Sequence, residues 1–405
     1  MNRPLAGFTV TEVANYIAAP AAGAILADLG ARVIHIEPVD GDPYRGFRLG
    51  MSGFGASEGG EELAFHVDNR GKESIALDLR APDARAVVFA LLARSDVLIS
   101  NLSDSQLASI GLGPTEIANR FPGLIVARIN GYGFRGDEAA AESFDLGAFW
   151  ARGGLLEGMA SPEGDLAQPR PGIGDHATAL SLVAGIVLSL LQRERTGAAT
   201  PVRTSLLDTA MWLNSLDIAG AAFYGQAPER RRGSLPLLSA YPAADGRRIY
   251  LQITHDRAWR GFAHATGHPE WLTDERFQGF GLRLKNAPAL RVLVAEAIAT
   301  RPLAEWAPLF REHGVPVAIV NSAADIVTDP QVAAGGHLLA GSGDDGRPLA
   351  IVSVPFEVGD DAPLPGSEPP PAPPHGAHGE SLLIELGYSW DDIASLRERG
   401  ILGPA

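Results

Sequence analysis

Phe8-Thr-Val-Thr-Glu-Val13, then Pro20-Ala-Ala-Gly-Ala-Ile-Leu-Ala-Asp-Leu29 closed by Gly30, then Arg32-Val-Ile-His-Ile36 are the residues that decide the fold. The first and third are short runs rich in β-branched residues; the second is an apolar run of helical length stopped by glycine. The stretch therefore reads as strand, helix, strand. The alternation continues with strands over 74–79, 96–99 and 124–129, a helix over 82–94 and a short helix over 114–120. Strands alternating with helices imply a parallel sheet covered on both faces, a Rossmann-like α/β architecture.

Further along, Pro171-Gly-Ile-Gly-Asp175-His176 leads into an apolar run over 177–191 and ends at Gln192-Arg-Glu-Arg-Thr-Gly197. Asp175 follows two glycines and a proline and reads as the N-cap of a long helix, with basic residues and a glycine at the far end. As a cap, its carboxylate would lie near unpaired N–H groups and the positive end of the helix dipole, which favours the ionised form. A strand over 202–206 and a helix through Met211 and Trp212 follow. Beyond residue 225 the pattern changes. Segments 239–242 and 248–253 flank Asp245-Gly246 as a hairpin, and helices follow over 257–266, 288–300 and 303–313, which reads as a smaller α+β domain. The expected division is a large domain of 1–224 plus 331–405 and a small domain of 225–330. A proline-rich tether over 363–374 precedes two short helices, 380–386 and 391–399.

Composition narrows the function. The 405 residues suit two or three domains at about 150 residues each, and 46% apolar content is ample for a large core. A net charge of −15 argues against a nucleic-acid partner. The absence of cysteine removes thiolate nucleophiles, disulfides and Cys-type metal sites, leaving oxygen or nitrogen for covalent chemistry. Glu12 interrupts the apolar start before a signal-peptide core is complete, and the run over 177–191 is shorter than a bilayer span, so the expectation is a cytoplasmic protein without a membrane partner.

Several motifs compete. Gly131-Tyr-Gly133-Phe-Arg-Gly136 fits GxGxxG but follows the fifth strand rather than the first, with Asp137-Glu138 where a pyrophosphate would sit. Gly55-Ala-Ser57-Glu-Gly59 fits GxSxG without a strand–turn–helix around it. His264/His268 and His375/His378 have metal-like spacings that no nearby carboxylate completes, so no metal is expected. Asn69-Arg70-Gly71-Lys72 is a donor-rich loop, readable as a phosphate cradle or as solvated surface. Lys72 and Lys285 are the only lysines in the chain.

Taken together, Pro4-Leu5-Ala-Gly7, Ile17-Ala18-Ala19-Pro20, Leu26 to Gly30 running on to Glu37-Pro38, Gly41-Asp42-Pro43-Tyr-Arg45, Asn69 to Lys72, Ser74 to Leu79, Gly131-Tyr-Gly133 and Gly174-Asp175 resemble the class III CoA-transferases, the family of formyl-CoA and carnitine CoA-transferases. The resemblance runs from about Pro4 to Leu402. It implies an interlocked homodimer of that fold, and exchange of CoA between an acyl-CoA thioester and a free carboxylic acid. CoA would be a substrate, with no tightly bound cofactor. The matching aspartate, Asp175, would be the nucleophile, forming a mixed anhydride and then an aspartyl-CoA thioester. Asn69, Arg70 and Lys72, with Asn101 and Leu102, would line the CoA groove; Tyr16, Ile17 and Ala18 would lie near the pantetheine, and Tyr132 and Gly133 would complete the set. Asp145 and His176 would support the substrate. Backbone N–H groups near Ile17 and Ala18, or in the 131–133 loop, are candidate oxyanion donors.

The chain departs from the family in places. After Asn101 it reads Leu102-Ser-Asp-Ser105, and Pro38 stands where a basic residue is common, so Arg45, Arg48 or Arg70 would supply phosphate contacts. The glycine-rich loop of the formyl-CoA enzyme is missing between 225 and 251, and Ala148-Phe-Trp150-Ala-Arg152-Gly-Gly resembles members acting on larger aryl or branched 2-hydroxy acids. The same fold carries 2-methylacyl-CoA racemases, whose histidine would fall just before Asp145, where this chain has Phe144. A third reading is a CoA-binding protein without turnover.

Overall fold

The computed structural model describes residues 3–46, 62–161, 163–228, 235–342, 347–358, 368 and 370–404. Arg48, the Gly55 to Gly59 motif and most of the proline-rich tether lie outside these residues. Contacts divide the chain into two units, one comprising Met1–Ala160, Leu166–Pro228 and Pro330–Ala405, the other Ser161–Asp165 and Glu229–Asp329.

The first unit is built on β1 (Thr9–Val13), α1 (Ala18–Asp28), β2 (Arg32–Glu37), α2 (Leu63–Asn69), β3 (Glu73–Ala76), α3 (Pro82–Leu92), β4 (Val97–Ser100), α4 (Asp104–Ser109), α5 (Pro114–Arg120), β5 (Ile125–Asn130), α6 (Leu155–Gly158), α7 (Ile173–Thr196), β6 (Val202–Ser205), α8 (Leu206–Leu213) and α9 (Ser215–Tyr224). Its six strands are ordered β3-β2-β1-β4-β5-β6 and every neighbouring pair is parallel. Side chains alternate across the sheet. Val10, Val33, Ile99, Ile125 and Ile129 pack under α1 and α7. Val13, Ile34, Ile36, Ile75 and Leu98 face α3 and the two carboxy-terminal helices. The strand order reverses between β1 and β4, and at such a switch point the loops leaving the two strands part to open a crevice.

The expected strands and helices of this sheet form with ends shifted by a few residues. Short α2 and an antiparallel pair, Leu338–Ser342 with Pro348–Val352, are additions that the sequence reading does not include. The length argument about the apolar run is corrected: α7 has 24 residues and is long and apolar enough to cross a membrane. One stripe of it, Gly174, Thr178, Ala179, Leu182, Val183, Ile186 and Leu190, is buried and packs with α1 residues in the core.

The carboxy-terminal segment returns to the β3 edge, where the Gly376 and Gly403 N–H groups donate to Ser74 Oγ and to the Ala76 carbonyl. His378 Nδ1 accepts from the Ser74 N–H and His375 bonds the Pro38 carbonyl, so this histidine pair is structural.

The second unit has a three-stranded antiparallel sheet, Ala240–Pro242, Arg248–Leu251 and Val317–Ile319, around an aromatic core of Trp259, Phe262, Trp271, Phe277, Trp306 and Phe310. His268 stacks on Trp271 and bonds Glu270.

Candidate active site

Polar residues are buried in the β3-β2-β1 half of the parallel sheet, where apolar ones are the rule. Glu12 on β1, His35 and Glu37 on β2, and Ser74 on β3 are all fully buried. Lys72 Nζ lies 3.0 and 3.1 Å from the two Glu12 carboxylate oxygens and donates to the Pro20 carbonyl and Asn69 Oδ1, both at 2.8 Å. Glu12 also bonds His35 Nδ1 at 2.6 Å, and His35 Nε2 lies 3.6 Å from Asp42. Burial would raise the Glu12 pKa, but Lys72 and His35 outweigh it and hold the carboxyl below its usual range. Helix α1 crosses directly over this cluster at Gly23, where a Cβ would sit 2.1 Å from Glu12 Oε2, so only glycine fits.

This network engages the side chains of the segment expected to line the CoA groove. Lys72 and Asn69 are turned inward and bonded to each other. Arg70 is also buried, paired with Asp28 at 2.6 Å. Arg45 is held by Glu37 at 2.8 Å and Glu62 at 2.9 Å, and donates to the Pro373 carbonyl. Each of these cations is engaged by its own chain, because local sequence displays donors but not the carboxylates that fold against them. Glu37 in turn is held down to a pKa of about 2: burial pushes it up, but Arg45, His35 and Ser74 more than reverse that.

The network ends on the loop that leaves β1. Asp42 Oδ1 accepts from the Tyr16 N–H at 3.3 Å and the Tyr44 N–H at 2.8 Å. Asn101, leaving β4, donates to the Asn15 carbonyl at 2.7 Å and accepts from the Asn15 N–H at 3.2 Å, tying together the two loops at the switch point. Held from both sides, Tyr16 has φ +65°, the one positive value outside glycine among the described residues. Such backbone persists only where its surroundings over-determine it, and it clusters at functional sites. Ile17 follows as the N-cap of α1, and Ala18 begins that helix. The unusual Leu102 to Ser105 sequence has a local explanation: Ser103 caps α4 in a reciprocal capping box with Gln106.

The long helix α7 brings the second half of the site. Gly172, not Asp175, is its N-cap, and Asp175 is the third helical residue, with Ile173 first. The N–H groups of Gly172 and Gly174 donate to Asp145 Oδ2 at 2.8 and 3.3 Å, so Asp145 is the carboxylate that caps α7. Gly174 packs so closely on Phe149 that a Cβ would come within 2.6 Å of its ring.

The expectation of a readily ionised Asp175 is thereby reversed. Surrounding protein crowds its carboxyl, the cap donors belong to Asp145, and the charges of Asp145 and Asp68 face it; with only His176 opposing, the pKa is pushed up to about 7. Burial likewise raises the Asp145 pKa, against its backbone hydrogen bonds.

Near the mouth of α7 the side chains are aromatic and aliphatic. Phe144, next to Asp145, meets Tyr16 edge-on at 5.6 Å, and both rings are exposed. A Cβ on Gly172 would lie 3.7 Å from Ile17 Cδ1 and 3.9 Å from His176 Cε1, which places Ile17 against the mouth of α7. His176 Nε2 bonds buried Asp68 at 2.7 Å, and the Tyr44 hydroxyl also bonds Asp68. The structure thus joins Tyr16, Ile17, Asp145, Asp175 and His176, and adds Asp68, Tyr44 and Asp42, which the sequence did not single out. Asp68 and His176 are 108 residues apart, and no spacing pattern connects them.

The 131–133 loop packs close to Ser143, Gly147 and Ala148, the residues flanking Asp145. Gly133 N–H donates to Asn130 Oδ1 at 2.8 Å, so it is unavailable as an oxyanion donor, and Tyr132 packs on Ala148 and Phe149. The first-turn N–H groups of α1, beginning at Ala18, receive no side-chain cap.

The family model for CoA-transferase family III matches residues 5–379. The chain is 28% identical over 400 residues to the (R)-2-hydroxy-4-methylpentanoate CoA-transferase of Clostridioides difficile, covering 98% of this chain and 99% of that one. It is 30% identical over 402 residues to the cinnamoyl-CoA:phenyllactate CoA-transferase of Clostridium sporogenes, covering 97% and 95%. Among solved structures, a CAIB/BAIF family protein from Brucella suis superposes with a TM-score of 0.83 at 28% identity, covering 95% of this chain and all of that one.

Proposed function

Because the chain belongs to CoA-transferase family III and is an acyl-CoA:carboxylate CoA-transferase, we propose that Asp175 is the group that carries the acyl unit and then CoA. Its ionised oxygen attacks the thioester carbonyl, the C–S bond breaks and CoA leaves as thiolate, giving a mixed anhydride. The thiolate then attacks the Asp175 carbonyl carbon and expels the donor acid, leaving an aspartyl-CoA thioester. The acceptor carboxylate repeats the sequence in reverse and departs carrying CoA.

The observation that carries this reading is a carboxyl poised near neutrality between two other carboxylates. The site disfavours its charge by about 4 kcal/mol before solvent screening, judged from its rise from 3.8 to about 7. Acylation removes that charge, so the covalent state is favoured relative to the free carboxylate. The basicity that makes ionisation costly also makes the oxygen a stronger nucleophile.

A pH dependence follows. Only the ionised form attacks, so kcat/KM is expected to rise tenfold per unit from pH 5 and level off above a midpoint near 7. Steady-state exchange of labelled free acid into acyl-CoA measures this; a midpoint near 4 would remove Asp175's raised pKa from the account.

Tyr16, Ile17 and Phe144 beside Asp175 suit a bulky apolar acyl group, in line with the branched and aryl hydroxy acids in the names of the two relatives. The racemase alternative lacks a histidine before Asp145, where Phe144 has no proton to exchange, and His176 is the substitute it would have to use. A homodimer is supported by the outer face of α8 and α9, where Trp212, Leu216 and Phe223 are 77%, 83% and 82% exposed. Large apolar side chains this exposed on neighbouring helices call for a partner surface. Light scattering is expected to give twice the 42.6 kDa chain mass, and a monomer at micromolar concentration would contradict the dimer.

A further inference from the structure

The charged side chains whose fields reach Asp175 are the carboxylates of Asp145 and Asp68 and the imidazole of His176. CoA transfer by the route above, on which this inference rests, releases a thiolate into that acidic enclosure twice per turnover. An unpaired sulfur anion there would be repelled by every carboxylate that stays ionised.

We propose that His176, fixed by Asp68, is the cation that pairs with the CoA sulfur whenever it is present as thiolate. His176 and Asp175 lie within electrostatic reach of each other, and the His176 ring edge meets Gly172 at the mouth of α7. Its Nε2 is bonded to Asp68 Oδ1 at 2.7 Å, and Asp68 is 2% exposed and also bonded by the Tyr44 hydroxyl. Asp68 is therefore a fixed, buried partner that orients the ring from one side. The other edge is open: the His176 side chain is half exposed, no described residue bonds its Nδ1, and Gly172 leaves the space beside Cε1 unfilled. As the imidazolium, His176 donates Nε2–H to the buried carboxylate and presents a second N–H at Nδ1, and it is this charged form that pairs with the sulfur.

The groups facing the imidazole are Asp68 on α2, Asp175 on its own helix, Asp145 and, acting the other way, Arg70. Crowding works against its charge, but Asp68 and Asp175 prevail and hold its pKa above the ordinary value. No proton moves in this role. When the C–S bond breaks the electron pair leaves on sulfur, which is held by Nδ1–H until it attacks the Asp175 carbonyl carbon and the C–O bond to the donor acid breaks.

The test is titration of the CoA thiol while bound to the full chain, followed through the ultraviolet absorbance of the thiolate. In the unaltered protein the bound thiol is expected to carry about tenfold more thiolate than free CoA at the same pH, a shift of one unit. His176→Gln should abolish the shift. Asp68→Asn should abolish most of it, and Asp68→Glu should restore part. S-methyl-CoA has no ionisable thiol and should bind the unaltered protein and His176→Gln alike, which reports an intact site. A shift that persists in His176→Gln overturns the proposal; should that variant lose S-methyl-CoA as well, Asp68→Asn decides in the same way. CoA bound with an unshifted thiol overturns the thiolate role alone, whereas failure of the unaltered chain to bind CoA overturns the transferase route together with it.

Discussion

Asp175→Asn is expected to lower CoA-transfer turnover by at least about a thousandfold while making the protein more stable at pH 8. The loss follows from removing the only atom that forms the covalent link, since an amide oxygen is a poor nucleophile and its adduct cannot be resolved in the same way. The gain follows from linkage. The folded pKa of about 7 exceeds the unfolded value of about 3.9, so the native state holds this proton more tightly than the unfolded chain does. Native stability from this group is greatest below about pH 4 and is lost progressively as pH rises through 7. Asparagine carries no charge at any pH and escapes that loss. Thermal denaturation of the two proteins should therefore show the variant with the higher Tm at pH 8, by an amount that shrinks toward zero near pH 4. A variant equally active, or less stable at high pH, would contradict the raised pKa on which the chemistry rests.

Lys72→Met is expected to cost about 3–5 kcal/mol of unfolding free energy, the range for removing one partner of a buried ion pair. Lys72 and Glu12 are both fully buried, and without the ammonium Glu12 faces β2 and α1 with only His35 beside it. The double replacement Glu12→Leu with Lys72→Met should recover much of the loss, because it leaves no uncompensated charge. The damage should also reach the site. Asp42, in ion-pair range of His35, holds the Tyr16 N–H, so loosening the network releases the strained loop beside Asp175. Denaturant unfolding of the single and double variants measures the first effect. A single-variant loss within the ±0.5 kcal/mol of an ordinary surface substitution would show that the network contributes little.

Residues 8–36 made the sheet legible because strand and helix periods and a terminal glycine are local signals. Asp175 was legible as a candidate through its place before a long apolar run. What local sequence could not say was which carboxylate caps that helix. Two acids compete for the same N–H groups, and only the tertiary placement of Asp145 shows that it takes both bonds and leaves Asp175 crowded and unpaired by the helix. The internal pairing of the donor-rich Asn69 to Lys72 segment was illegible for a related reason. Its basic residues point to Asp28 and Glu12, 42 and 60 residues earlier, and a sequence displays a cation without displaying its counter-ion. Helix α2 was missed because seven mixed residues carry too little periodicity, and with it went Asp68, the anchor of His176. Gly174 is fixed by the approach of Phe149, a contact between segments 25 residues apart that no local signal shows.

The claim at the centre of this account is that Asp175 becomes covalently acylated. Mixing the protein with a branched or aryl acyl-CoA in the absence of acceptor, quenching with hydroxylamine and mapping peptides by mass spectrometry tests it directly. The expected result is a hydroxamate at Asp175, present in the unaltered protein and absent from Asp175→Asn. An unmodified Asp175 in a protein that exchanges labelled acids into acyl-CoA, or an Asn variant that still does so, would contradict it.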